Sequence, residues 1–157
     1  MKHIIYALVD NKPGVLARIS GLFSARGFNI DSLAVGETHD PTVSRVTMVV
    51  NAQDERILEQ IKKQLDKLID VMTVIDLTKK EFFERELVLL KLNTAKTTRQ
   101  KLLVLFKNIS AKILSYDKKE AIVEITAAKA QLNDLLAQLS KIGIKELVRT
   151  GIIAIGK

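Results

Sequence analysis

Residues 8–30 read Leu8-Val-Asp-Asn-Lys-Pro-Gly-Val-Leu-Ala-Arg-Ile-Ser-Gly-Leu-Phe-Ser-Ala-Arg-Gly-Phe-Asn-Ile30. An apolar strand closes at Val9. A polar turn, Asp10-Asn11-Lys12, leads into Pro13-Gly14. A helix is expected from there to about Arg26, because Val15, Ile19, Leu22 and Phe23 recur at i, i+4, i+7 and i+8 and form one apolar stripe. Ala17, Ser20, Gly21, Ser24 and Ala25 are small and let that helix sit close on a sheet. Gly27 stands where a left-handed C-terminal cap is expected, and an extended run starts at Phe28. The stretch therefore reads as the turn of a β-α-β unit.

The same turn has the chemistry of a small-anion site. Pro13 fits the first turn of a helix, where its missing N–H costs nothing. Gly14 lets the backbone approach a ligand, because no Cβ intervenes. First-turn amides and the helix dipole favour a carboxylate or phosphate. Asn11 and Asn29 flank the turn and can each donate and accept hydrogen bonds. No nucleophile or base stands beside them, which points to binding rather than turnover. A plain strand-to-helix turn with Asn11 as its cap accounts for the same residues.

Working outward, Lys2–Val9 is an apolar strand, and 28–37 is a second strand with interspersed polar residues. Thr38-His39-Asp40-Pro41 reverses the chain into a β-branched strand over 42–50. Asp54 caps or starts a helix carrying Ile57, Leu58, Ile61, Leu65 and Leu68. Residues 70–77 form a fourth strand. The order is β-α-β-β-α-β, the ferredoxin-like unit.

Thr78-Lys79-Lys80-Glu81 breaks the pattern, with Phe82 and Phe83 pinning the connector. The order then repeats. Leu87–Leu92 is a strand, Thr97 or Thr98 caps a helix bearing Leu102, Leu103, Leu105 and Phe106, and Ala111–Tyr116 and Ala121–Thr126 are strands. Leu132, Leu135, Leu136 and Leu139 mark a second helix, ended by Gly143. Ile144–Ile155 is expected as one last strand, with Gly151 inside it as a bulge or a close contact. The expected fold is α+β: two ferredoxin-like domains in tandem, 1–78 and 79–157. The second lacks the Asn-x-Pro-Gly turn, so the ligand site is not duplicated.

Composition agrees with this layout. The chain is 47% hydrophobic and 27% charged, enough to build real cores. It contains no Cys, which excludes disulfides and thiolate metal sites. No apolar run approaches the roughly 20 residues of a membrane span, and no signal segment opens the sequence, so a cytoplasmic protein is expected. Charge is uneven. Residues 1–78 carry 9 Lys and Arg against 10 Asp and Glu, whereas 79–157 carry 16 against 8. These cations are scattered singly, and aromatic residues for base stacking are few. A solvated surface explains them best, an acidic docking partner next and nucleic acid last. His3 and His39 have no partner at metal-ligand spacing. There is no phosphate-binding glycine loop and no nucleophile elbow.

Asp10-Asn11-Lys12-Pro13-Gly14-Val15-Leu16 followed by Arg26-Gly27-Phe28-Asn29-Ile30 resembles the start of an ACT domain, an amino-acid-binding regulatory module. Arg26–Leu33, Asp40–Thr47, Leu58–Leu65, Lys67–Val71 and Arg85-Glu86-Leu87 extend the similarity to small regulatory subunits of acetolactate synthase (acetohydroxyacid synthase). The resemblance implies a non-catalytic chain acting in branched-chain amino acid biosynthesis. Such a chain activates a large catalytic subunit and confers feedback inhibition by valine or a related amino acid such as leucine or isoleucine. It implies no cofactor on this chain, with thiamine diphosphate, Mg²⁺ and FAD on the large subunit. It implies a homodimer joined edge to edge through ACT domains, with the effector at the interface. Asn11, Gly14, Val15 and Leu16 then line one side, and Asn29 and Ile30 the other. Backbone amides near Gly14 receive the carboxylate, Asn29 holds a polar end, and Ile30, Val35 and Leu16 wall the side chain. The family often has other residues at Ala17 and Ala34. An amino-acid-responsive nucleic-acid-binding regulator is the alternative, opposed by the absence of a helix-turn-helix pattern. A lone enzyme on this fold is the third reading.

Overall fold

The computed structural model describes residues 2–52 and 54–157. It divides into two compact units, 1–83 with 152–157, and 84–151. Each is a ferredoxin-like βαββαβ unit.

The first unit comprises β1 (Lys2–Asp10), α1 (Val15–Ser24), β2 (Ile30–Glu37), β3 (Val43–Asn51), α2 (Glu55–Leu65) and β4 (Val71–Asp76). The strands are antiparallel in the order β2-β3-β1-β4, so β2 and β4 are edges. Alternation along the strands sends Ile5, Ala7, Val9, Val46, Met48 and Val50 to one face. There they form a single core with Val15, Ile19, Leu22 and Phe23 of α1 and Leu58, Ile61 and Leu65 of α2. The stripe read from the sequence is thus the buried face of α1. Asp54 caps α2 by accepting from the Ile57 N–H at 2.9 Å.

The second unit holds the rest of β5 (Phe82–Asn93), a 3₁₀ turn (Thr94–Lys96), α3 (Arg99–Leu105), β6 (Ser110–Tyr116), β7 (Glu120–Ala127), α4 (Lys129–Ile142) and β8 (Ile144–Arg149). Its strand order is β6-β7-β5-β8. Val88, Leu90, Leu92, Val123 and Ile125 pack with Leu102 of α3 and Leu132, Leu135 and Leu139 of α4. Of the two candidate caps, Thr98 is the residue that accepts from Lys101 N–H.

The end of the chain departs from expectation. The single strand expected over 144–155 is two strands, β8 and β9 (Ile153–Gly156). Between them Gly151 takes φ +84, a left-handed conformation that favours glycine and ends the ladder. β9 pairs with β5, and the Lys157 N–H donates to Glu81 O at 2.9 Å. Residues 152–157 lie on the sheet face of the first unit that the helices leave open. There the Ile152 N–H donates to Ser32 Oγ at 2.9 Å, and Arg45 reaches Ala154 O at 2.7 Å while stacking over the Tyr6 ring. Ile152 and Ala154 are buried. The units therefore differ from a split at 78/79, because an apolar tail covers an otherwise bare sheet. Phe82 and Phe83 begin β5 rather than sitting in a connector.

Candidate functional site

The turn after β1 is built by backbone geometry. Gly14 is the N-cap of α1, with φ +86 and ψ −12, and helical geometry starts at Val15. Pro13 therefore precedes the helix instead of occupying its first turn. The glycine is favoured here by its left-handed backbone. No side chain caps α1 and no acid stands in its first turn. The Val15 N–H donates to Lys12 O at 3.4 Å and the Arg18 N–H to Gly14 O at 3.0 Å, which leaves the Leu16 and Ala17 amides to solvent or a ligand.

Asn11 is a fastener, not a helix cap. Its Nδ2 donates to Glu37 Oε1 at 3.1 Å and to Pro41 O at 2.9 Å, and its backbone N–H donates to Thr42 O at 2.7 Å. The turn is thereby tied to the C-terminal end of β2. Leu16 and Val35 are both about half exposed, at 42% and 47%, so this end of the unit presents apolar surface beside the amides. Val15 follows the apolar stripe. Its side chain is 4% exposed and belongs to the core, so only its backbone can face a ligand.

Charge gathers at the same place. The Arg18 guanidinium pairs with Asp70, and its tip lies 3.8 Å from where a Cβ on Gly14 would stand. Lys12 Nζ sits 2.6 Å from Asp10 Oδ2, and this carboxylate pushes the ammonium pKa above its ordinary 10.5. Arg18 was missed in reading the sequence, although its i+4 spacing from Gly14 signals it.

Asn29 and Ile30 lie elsewhere. Asn29 Nδ2 donates to Asp31 Oδ1 at 2.8 Å, and Lys2 pairs with Asp31 at 3.0 Å. Ile30 pairs with Val50, which pairs with His3 at the start of β1, whereas Glu37 pairs with Ser44, opposite Val9 at its end. The two residue sets thus sit at opposite ends of β2, about 23 Å apart at roughly 3.3 Å per residue. One chain does not bring them together. β2 is an edge strand bonded to β3 alone. An antiparallel pairing of two β2 edges sets the Ile30 end of one chain against the Glu37 end of the other.

Among the described residues no cluster of three or more His, Cys, Asp or Glu is arranged to hold a metal, and no helix is long and apolar enough to cross a membrane. The site offers amides, carboxamides, one guanidinium and apolar side chains. That set fits an aliphatic molecule with a carboxylate and an ammonium.

Comparison with known proteins agrees along the whole chain. Residues 5–73 match the family model of the AHAS small subunit-like ACT domain, and 85–157 match that of the small subunit of acetolactate synthase. A probable acetolactate synthase small subunit from Methanothermobacter thermautotrophicus is 41% identical over 156 residues, covering 99% of this chain and 92% of that protein. The acetolactate synthase small subunit of Bacillus subtilis is 39% identical over 157 residues, covering 100% and 91%. The crystal structure of the small subunit from Thermotoga maritima superposes with a TM-score of 0.89 at 34% identity, covering 100% of this chain and 98% of that one. With an N-terminal ACT domain and a C-terminal domain of the matching type, the chain belongs to the acetolactate synthase small subunits.

Proposed function

We propose that this chain is the regulatory subunit of an acetolactate synthase. It binds the large catalytic subunit, raises its activity and transmits feedback inhibition by a branched-chain amino acid, with valine the first candidate. Thiamine diphosphate, Mg²⁺ and FAD belong in this reading to the catalytic subunit, and this chain acts in the cytoplasm as a homodimer. The observation that supports it most is the placement of two polar half-sites at opposite ends of an unpaired edge strand. Gly14, Leu16 and the Val15 backbone, braced by Asn11, make one half. Asn29 and Ile30 make the other. Two chains joined through β2 then hold an effector between them. The carboxylate lies at the α1 amides beside Arg18, and the ammonium lies at the carboxamide of Asn29.

Effector binding regulates by population shift. It moves the holoenzyme between states only by its differential affinity for them, and typical couplings are about 1–3 kcal/mol. The test is calorimetric titration with valine, leucine and isoleucine, followed by assay of the reconstituted synthase. Saturable binding of one of them, with inhibition over the same concentration range, supports the reading. No binding with the catalytic subunit present contradicts it.

A further inference from the structure

The second unit has a surface that the effector site does not use. From Leu87 through Tyr116 the sequence contains Lys91, Lys96, Arg99, Lys101, Lys107 and Lys112 and not one Asp or Glu. Lys91 is paired with Glu146, and Lys112 stands opposite Glu124 in the ladder. The other four cluster at α3. All are exposed, and among the described residues none forms an ion pair. α2 differs in carrying acids among its cations, with Lys62 paired to Glu59 and Lys79 of the following connector paired to Glu55.

The centre of the α3 face is apolar. Leu102 faces the core and is fully buried, while Leu103 and Val104 point outward at 53% and 72% exposure. Helical spacing arranges the rest. Arg99 lies four residues before Leu103 and Lys101 three before Val104, and Lys107 follows in the turn just past the Phe106 cap. An exposed branched apolar pair is thus ringed by cations, the anatomy of an interface centre with a polar rim. The Tyr116 hydroxyl bonds Thr97 O at 3.4 Å, joining this face to an adjoining cavity of about 520 Å³ lined by Thr94, Ala95, Tyr116, Asp117 and Lys118. Asp117 is the one carboxylate lining that cavity, and its Oδ1 accepts the N–H groups of Lys119 and Glu120 at 2.7 and 2.8 Å.

We propose that the outward face of α3 docks the catalytic subunit of the synthase, through an apolar patch on that subunit bordered by carboxylates. The inference rests on the regulatory-subunit reading above and adds the face and chemistry of the contact. Charge complementarity selects the occupant. Three unpaired cations around Leu103 and Val104, with Lys96 in the turn before α3, repel a second copy of the same face and attract an acidic rim. The apolar pair supplies affinity on desolvation, and the rim supplies steering and register.

The test uses the full-length chain and the catalytic subunit, with affinity read from direct binding and from titrated activation. Leu103→Ser/Val104→Ser is expected to weaken binding about tenfold or more. Arg99→Glu/Lys101→Glu/Lys107→Glu is expected to slow association and flatten its salt dependence. Both variants change only exposed side chains, and matching unfolding midpoints verify their fold. Ile69→Ser/Met72→Ser alters exposed apolar residues of the first unit and is expected to bind normally. Unchanged affinity in both α3 variants overturns the proposal, as does an equal loss in the Ile69→Ser/Met72→Ser control. Charge reversal that abolishes binding to duplex nucleic acid while sparing the catalytic subunit also overturns it. A wild-type chain that fails to bind the catalytic subunit overturns the regulatory reading itself.

Discussion

Asn11 and Glu37 are hydrogen-bonded side chain to side chain at 3.1 Å, joining the turn that follows β1 to the end of β2. The bond spans 26 residues of sequence and couples the amide face of α1 to the edge strand expected to meet a second chain. Removing it by Asn11→Ala is expected to lower effector affinity about tenfold, while stability falls by at most about 1 kcal/mol because the bond is exposed. Glu37→Gln keeps the acceptor oxygen and is expected to retain binding. Calorimetry with parallel urea unfolding checks both, and equal affinity in all three proteins refutes the bracing role.

Gly14 carries two demands that separate on substitution. Gly14→Ala meets open space apart from Arg18 at 3.8 Å, so its cost comes from the left-handed backbone and is expected to be about 1 kcal/mol. Gly14→Asp adds a negative charge at the amide face and is expected to abolish valine binding in a folded protein. Retained binding in folded Gly14→Asp places the effector elsewhere.

Acid stability has identifiable sources. The Thr42 hydroxyl and N–H hold the Asp40 carboxyl below its ordinary 3.8, and the Lys119 and Glu120 N–H groups do the same for Asp117. A carboxyl with a depressed folded pKa contributes stability above its unfolded pKa, and that contribution is lost as pH falls through the folded value. The losses are therefore expected below pH 3.8. Asp40→Ala and Asp117→Ala are each expected to unfold with a shallower acid dependence than wild type in that range. An unchanged slope in both contradicts the assignment.

His3 is a buried residue whose Nδ1 has no hydrogen-bond partner among the described residues. A buried polar atom without a partner costs about 1–3 kcal/mol. His3→Leu is expected to raise unfolding stability by about 1 kcal/mol, measured by denaturant titration. A fall in stability shows instead that the imidazole is satisfied in solution.

The strands and helices were legible because their apolar residues recur with the periods of two and 3.6 that burial imposes. Ile5, Ala7 and Val9 alternate into the core, and Val15, Ile19, Leu22 and Phe23 follow them from α1. What was not legible depends on partners distant in sequence. Ile152 and Ala154 alternate like the rest of the last strand, and only Ser32 on β2 and Arg45 on β3 reveal where they go. The motif at Asn11 and Gly14 was visible. Val15 was visible too, as part of the stripe that α1 buries, but that Asn29 lies at the far end of β2 needed the strand register.

The central claim is that two chains build one effector site across their β2 edges, and mixing two defective proteins tests it most directly. Gly14→Asp disables one half-site and Asn29→Ala the other, so neither protein is expected to bind valine alone. In a mixed dimer one of the two sites combines both intact halves. With random exchange, about one quarter of wild-type capacity is expected to return, at wild-type affinity. Mixing that restores no binding, or an Asn29→Ala protein that binds valine normally by itself, contradicts the shared site.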